Sequence, residues 1–174
     1  MKTLFTLLAL VGLMTAAPAH AEFKNQMNYA KYIYDFSVDG GATGSISLSS
    51  KSGYRALPAN AIVTRVIARV VTACTSGGSA TVEWGNTADT DGYSGTANAV
   101  ASLSADAVFI GDETAGGEGA LIWNRVGTTP ATGSPKAYQV TSTANTKDFL
   151  VKINTAALTA GKIIFYVEYF MPSL

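Results

Sequence analysis

The sequence predicts an all-β, single-domain antiparallel β-sandwich, jelly-roll-like, with eight or nine strands. Three observations carry that reading. Apolar residues come in short runs between clusters of Gly, Ser, Thr, Asn and Asp, the punctuation of strands and turns. Several runs alternate with a period of two, and none sustains the 3.6-residue period of a helix. The 174 residues are 48% hydrophobic, enough for one domain with a sizeable core.

Residues 1–21 are read as a leader. Lys2 is a short positive region, Leu4 to Met14 an apolar run, and Ala19-His20-Ala21 a small-x-small cleavage site. This is the pattern of a secretory signal peptide, and the run is too short to span a bilayer at the ~20 residues needed. The β-sandwich domain is then 22–174, with no membrane span once the leader is removed.

The elements follow in order. Glu22 to Val38 alternates Tyr32, Tyr34, Phe36 and Val38, with a strand over Tyr32–Val38. It pairs within its own sandwich or adds to a neighbour's sheet edge. Thr43–Leu48 is a weaker strand. Ile62–Cys74 is the clearest. Its even positions, among them Val66, Ala68, Val70 and Cys74, are small and apolar and face the core. Arg65 and Arg69 stand on the odd face with Ile67 and Val71, so that face is wet or at an interface. Thr75-Ser76-Gly77-Gly78 signals a turn, and Ser79–Gly85 alternates again. The two segments read as a hairpin with Glu83 opposite Arg65 or Arg69.

Asn98–Leu103 has a short helical spacing. Ala107–Ile110, Ala120–Asn124, Ala137–Ser142 and Asp148–Ile153 are weaker strands. Lys162–Met171 closes the chain, with Ile163, Phe165, Val167 and Tyr169 on one face. Its other face carries Ile164, Tyr166 and Phe170, too apolar for plain solvent, and points to either a second covering layer or a subunit interface.

Composition bounds the chemistry. Lys+Arg and Asp+Glu balance at 12 each, so there is no chain-wide basic footprint for nucleic acid. The single His is His20, which leaves with the leader, so Ser-His-Asp, Cys-His and histidine-zinc arrangements are excluded from the domain. The single Cys74 lies on the expected core face and reads as a small buried hydrophobe. No catalytic residue and no cofactor is assigned, and the chain is read as a non-enzyme.

Three weaker constellations remain. Asp89-Thr90-Asp91-Gly92 resembles the opening of a calcium loop, with Asp89 and Asp91 as candidate Ca2+ ligands, but position 100 is Val where a later acidic ligand would stand. Asp112, Glu113 and Glu118 lie in a Gly-rich stretch and read as solvated rather than as a glycosidase pair. Trp84, Tyr93 and Trp123 are candidate stacking residues for a glycan or host-surface ligand, against the simpler reading of core packing.

The run Ala56-Leu57-Pro58-Ala59-Asn60-Ala61-Ile62-Val63-Thr64-Arg65, followed by Thr75-Ser76-Gly77-Gly78-Ser79-Ala80-Thr81-Val82, resembles tailed-phage virion structural proteins of the head-fibre, decoration or tail-associated type. Asp91-Gly92-Tyr93 and Leu158-Thr159-Ala160-Gly161-Lys162 through Val167-Glu168-Tyr169 fit the same pattern, over about Tyr34 to Tyr169. The resemblance implies a jelly-roll-like sandwich, a non-enzymatic structural role, and a homo-oligomer, a trimer before other states. It carries no catalytic residues. The leader departs from it, because virion proteins assemble in the cytoplasm; the expected location is a virion or an exported cell-surface assembly.

The functional expectation is a structural protein of such an assembly, associating with itself and with other virion or surface proteins through sheet faces. Ile164, Tyr166, Phe170, Tyr32, Tyr34 and Phe36 are the candidate interface. The alternative is a secreted glycan- or host-surface-binding module using Trp84, Tyr93 and Trp123.

Overall fold

A computed structural model of the chain describes residues 27–94, 97–110, 123–124, 134–135, 138–141 and 143–172. Residues 1–21, read from sequence as a leader, and the acidic stretch with Asp112, Glu113 and Glu118 lie outside them.

In order, the elements are β1 (Asn28–Asp35), α1 (Phe36–Asp39), β2 (Gly44–Ser47), β3 (Ile62–Ser76), β4 (Thr81–Gly85) and β5 (Asn98–Ala99). A 3-10 turn (Val100–Ser102), β6 (Val108–Ile110), β7 (Trp123–Asn124), β8 (Ser134–Pro135) and β9 (Tyr138–Gln139) follow. The chain continues through α2 (Ala144–Lys147), β10 (Leu150–Asn154) and β11 (Leu158–Phe170).

Two antiparallel sheets face each other, as the alternation predicts. The five-stranded sheet runs β1-β11-β3-β6, with β9 also on β3; the four-stranded sheet runs β2-β10-β4-β5. β7 and β8 form a separate pair. Among the described residues the helices are single turns. Asp35 ends β1 because its carboxylate accepts from Ser37 N at 3.0 Å, capping α1, while its own N–H donates to Asp39 Oδ2 at 2.8 Å.

The core is aromatic where the sheets meet. The Phe149 ring stacks on Tyr32 at 4.7 Å and on Tyr93 at 5.8 Å, and meets Phe165 at 5.1 Å. Trp84 from the four-stranded sheet reaches Phe109 at 5.8 Å and Phe165 at 5.5 Å on the five-stranded one. Tilted and stacked ring pairs at these spacings add about 0.5–1.5 kcal/mol each beyond burial.

β3 and β11 carry most of the architecture. Ile163, Phe165 and Val167 point inward as expected, and so do Val66, Ala68, Val70 and Cys74. The strict even-position rule fails at one end. Val63 pairs with Tyr169 and Arg65 with Glu168, so β3 has one extra residue, Thr64. That bulge turns Val63 into the core in place of Ile62. A second shift near Gly161 brings the backbone onto Cys74. Gly161 has φ +145°, and a Cβ there would stand 2.6 Å from Cys74 Sγ, so only glycine fits. Cys74 is free and buried, and burial pushes its thiol pKa up to about 11.

The expected hairpin does not form. β3 pairs with β11, β6 and β9, whereas β4 pairs with β10 and β5 in the opposite sheet. The Ser76–Gly78 signal marks a crossover between layers, because β11 already fills one long edge of β3. Glu83 is therefore far from its expected arginine partners. Arg65 pairs with Glu168, Arg69 with Asp106, and Glu83 with Lys152. In Asn98–Leu103 the short helical spacing appears as the 3-10 helix Val100–Ser102, preceded by the two-residue β5.

Candidate functional site: the outer face of the five-stranded sheet

Register fixes which side chains share the outer face of the five-stranded sheet. Ile33, Ile164, Arg69 and Val108 stand in one row across β1, β11, β3 and β6. Lys31, Tyr166, Ile67 and Ile110 form the next. Asp35, Lys162 and Thr72 flank the first row, and Tyr29, Glu168 and Arg65 flank the second.

The flanking charges largely cancel within the face. Arg65 grips Glu168 with two hydrogen bonds, Nε to Oε2 at 2.8 Å and Nη2 to Oε1 at 2.7 Å. Lys162 meets Asp35 at 2.9 Å. The Ser37 hydrogen bond, with Lys162, lowers the Asp35 carboxyl to about 2. Between these pairs lies an aliphatic and aromatic band, interrupted by Arg69 in the first row and ending on Lys31 in the second. Val108 is 53% exposed and Ile110 44%, so the band opens to solvent at its β6 side. Val71 at a β3 register shift and Tyr29 on β1 are exposed as well. This partly exposed apolar band lies on a sheet whose opposite side already fills the core.

The sequence-chosen interface residues divide. Ile164 and Tyr166 lie on this face, half-buried among neighbouring strands, and Phe170 stands beyond them opposite Ile62. Tyr32 and Tyr34 do not. They pair with Phe165 and Ile163 on the inward side, are fully buried, and donate their hydroxyls to Arg55 O and Gly40 O at 2.8 Å. Burial raises both phenol pKa values. Phe36 is half-buried against the core at the start of α1. The face also contains residues that strand-by-strand reading passed over, namely Tyr29, Ile33, Val108 and Ile110. Their alternation was legible, but their assembly into one surface depends on the order β1-β11-β3-β6.

The four-stranded sheet presents a different exterior. Ser45, Lys152, Glu83 and Thr81 line it, and Glu83 is buried under Lys152 at 2.9 Å and Thr90 Oγ1 at 2.8 Å. Burial pushes the Glu83 carboxyl up, but the hydrogen bonds from Lys152 and Thr90 outweigh it and hold it below its ordinary range. The 86–94 loop closes beside it. Ala88 N donates to Asn145 O at 3.2 Å, Thr87 N to Asp148 Oδ1 at 3.0 Å, and Ser94 N to Trp84 O at 3.1 Å. Gly85 permits this, since a Cβ there would lie 2.1 Å from Asp89 O.

Asp89 and Asp91, the candidate Ca2+ ligands, share that loop. Burial first, then the neighbouring Asp91 carboxylate, which accepts a hydrogen bond from protonated Asp89, pushes Asp89 up to about 6. Among the described residues no group of three or more His, Cys, Asp or Glu side chains is poised around a metal. The candidate stacking residues Trp84 and Tyr93 are buried in the core, 3% and 0% exposed, so neither offers a ring to a glycan. Trp123 opens β7, and a ligand role for its side chain falls outside the described residues. Among the described residues no helix is long and apolar enough to cross a membrane.

No family model matches the chain, and no curated protein matches it. Its fold is similar to that of a chain in the cyanophage Pam1 capsid asymmetric unit, with a TM-score of 0.51 and 18% identity over 90% of this chain and 92% of that one. Weaker similarities are to a chain of the capsid of Ralstonia phage GP4, with a TM-score of 0.47 and 13% identity over 92% of each, and to one of the acidic stable capsid of Helicobacter pylori bacteriophage KHP30, with a TM-score of 0.42 and 22% identity over 84% and 89%.

Proposed function

We propose that this chain is a non-enzymatic structural protein of a phage virion, seated in the capsid through the outer face of its five-stranded sheet. The observation that carries the reading is the band of Ile33, Ile164, Tyr166, Ile67, Val108 and Ile110, with its flanking charges already paired. Such a band is costly to leave in water, at roughly 25 cal/mol per Å² of apolar surface. Pre-paired charges lower the desolvation cost of covering it. The fold likeness to a cyanophage capsid chain over nine-tenths of both chains supports the setting.

On this reading the partners are a second copy of the chain and neighbouring capsid proteins, with a trimer as the expected homo-oligomer. Residues 1–21 are then a leader that is absent from the assembled particle. Mass spectrometry of purified virions tests the proposal. The expected result is the chain at stoichiometric, not trace, abundance, with its first peptide at Glu22. Its absence from particles, with the protein recovered free in the medium, would overturn the virion assignment.

A further inference from the structure

We propose that the first half of the β1 edge is a docking site for an extended, acidic peptide segment, which joins the five-stranded sheet as an added strand. This goes beyond the capsid reading and uses the open edge of that sheet, where Tyr29 and Lys31 border its outer face.

β1 ends the five-stranded sheet. Its outward backbone groups fall at alternate residues. Ile33 O accepts from Lys51 Nζ at 2.7 Å, and Asp35 N donates to Asp39 Oδ2 at 2.8 Å, both away from β11. The two-residue period places the N–H and C=O of Tyr29 and Lys31 on that same outer side. Side chains therefore close the second half of the edge. Among the described residues no hydrogen bond reaches the outward groups of Tyr29 and Lys31. Proteins close or charge their sheet edges because an open one pairs with other strands. Here closure stops at Ile33.

A cleft of about 420 Å³ lies along that open stretch, between β1 and the 53–58 segment. Tyr29, Lys31, Tyr54, Arg55, Pro58 and Tyr169 line it. Its far wall is fixed, since Tyr32 Oη donates to Arg55 O at 2.8 Å and Lys51 sits over the Tyr54 ring at 5.8 Å. The occupant's chemistry follows from the lining. Open main-chain groups two residues apart require an extended backbone. Tyrosine and proline walls accept aliphatic side chains. Lys31 and Arg55 are exposed and have no carboxylate partner among the described residues, whereas Lys51, Arg65, Arg69, Lys152 and Lys162 each have one. Two unmatched cations beside an open edge select carboxylate-bearing segments.

The test is fluorescence anisotropy of the full chain with a labelled, capped hexapeptide of alternating glutamate and valine. Two controls accompany it: the same peptide N-methylated along its pairing edge, and a lysine–valine counterpart. Saturable binding of the first is expected, with slowed hydrogen exchange confined to Tyr29–Ile33, and about tenfold weaker binding for both controls. The Lys31→Glu, Arg55→Glu double variant is expected to reverse the preference toward the lysine peptide. No binding at millimolar peptide would overturn the proposal. So would equal binding of the N-methylated peptide, or an unchanged charge preference in the folded double variant.

Discussion

The two exteriors of this sandwich are built from the same strand chemistry and end up opposite in character. The four-stranded sheet is faced by serine, threonine and lysine, and its one buried carboxylate, Glu83, is held by Lys152 and Thr90. The five-stranded sheet is faced mostly by isoleucine, valine and tyrosine, with two ion pairs at the flanks and Arg69, paired with Asp106, inside the band. A strand whose two faces are both apolar belongs between two layers. β11 has one layer inside its own chain, and on the proposed reading its other face takes a second from outside it. A polar exterior closed by a loop needs none.

The largest expected effect breaks both sides at once. Trp84 ties the sheets together through Phe109 and Phe165. Trp84→Ala should lower stability by about 3–5 kcal/mol in denaturant titration. A loss below about 1 kcal/mol would mean that the layers do not share one core.

Next come the cations that cover buried carboxylates, one on each face. Glu168 and Glu83 are 4% and 7% exposed. Arg65→Ala and Lys152→Ala leave them without a charged partner, at about 1–3 kcal/mol each. The arginine change should cost more, because its contact is bidentate. Equal losses would remove that distinction.

Titration separates the faces further. Asp35 is held at about 2, below its ordinary value, so its contribution to stability is present above pH ~4 and lost as pH falls through about 2. Asp89 is raised to about 6, so between about pH 6 and 4 the folded state binds the extra proton and acidification stabilises it. Thermal midpoints should therefore rise on going from pH 6 to 4 and fall below that. Asp89→Asn should flatten the first limb and Asp35→Asn the second. The opposite assignment of limbs would contradict the local environments described here.

Much of the fold was legible because period-two alternation directly reports a face. β11 and all but one end of β3 turn their expected residues inward for that reason. The bulge at Thr64 was not legible, since an inserted residue changes no residue type and only shifts phase. Nor was the crossover at Ser76–Gly78, because a Gly-rich turn joins strands across layers as readily as within one. The aromatic residues show the same limit. Tyr32, Tyr34, Trp84 and Tyr93 look alike in sequence whether they meet a partner or pack in the core, and only the pairing of β1 with β11 and the closure of the 86–94 loop put them inside. Ile164 and Tyr166 were readable as surface because their strand's other face was already complete. Their partners Val108 and Ile110 became visible only once β6 was placed beside β3.

The asymmetry between the two exteriors is tested most directly by light scattering of the wild-type chain, Val108→Asp, Ile164→Asp and Ser45→Asp at micromolar concentration, with thermal midpoints measured alongside. Ser45 sits on the polar exterior, and its substitution should change stability by less than about 0.5 kcal/mol. The expected result is an oligomer for the wild type and for Ser45→Asp. Val108→Asp and Ile164→Asp should both be monomers, with Val108→Asp keeping the wild-type midpoint. A monomeric wild type, or assembly that survives Val108→Asp and Ile164→Asp but is lost in Ser45→Asp, would contradict the assignment of the five-stranded face as the contact surface.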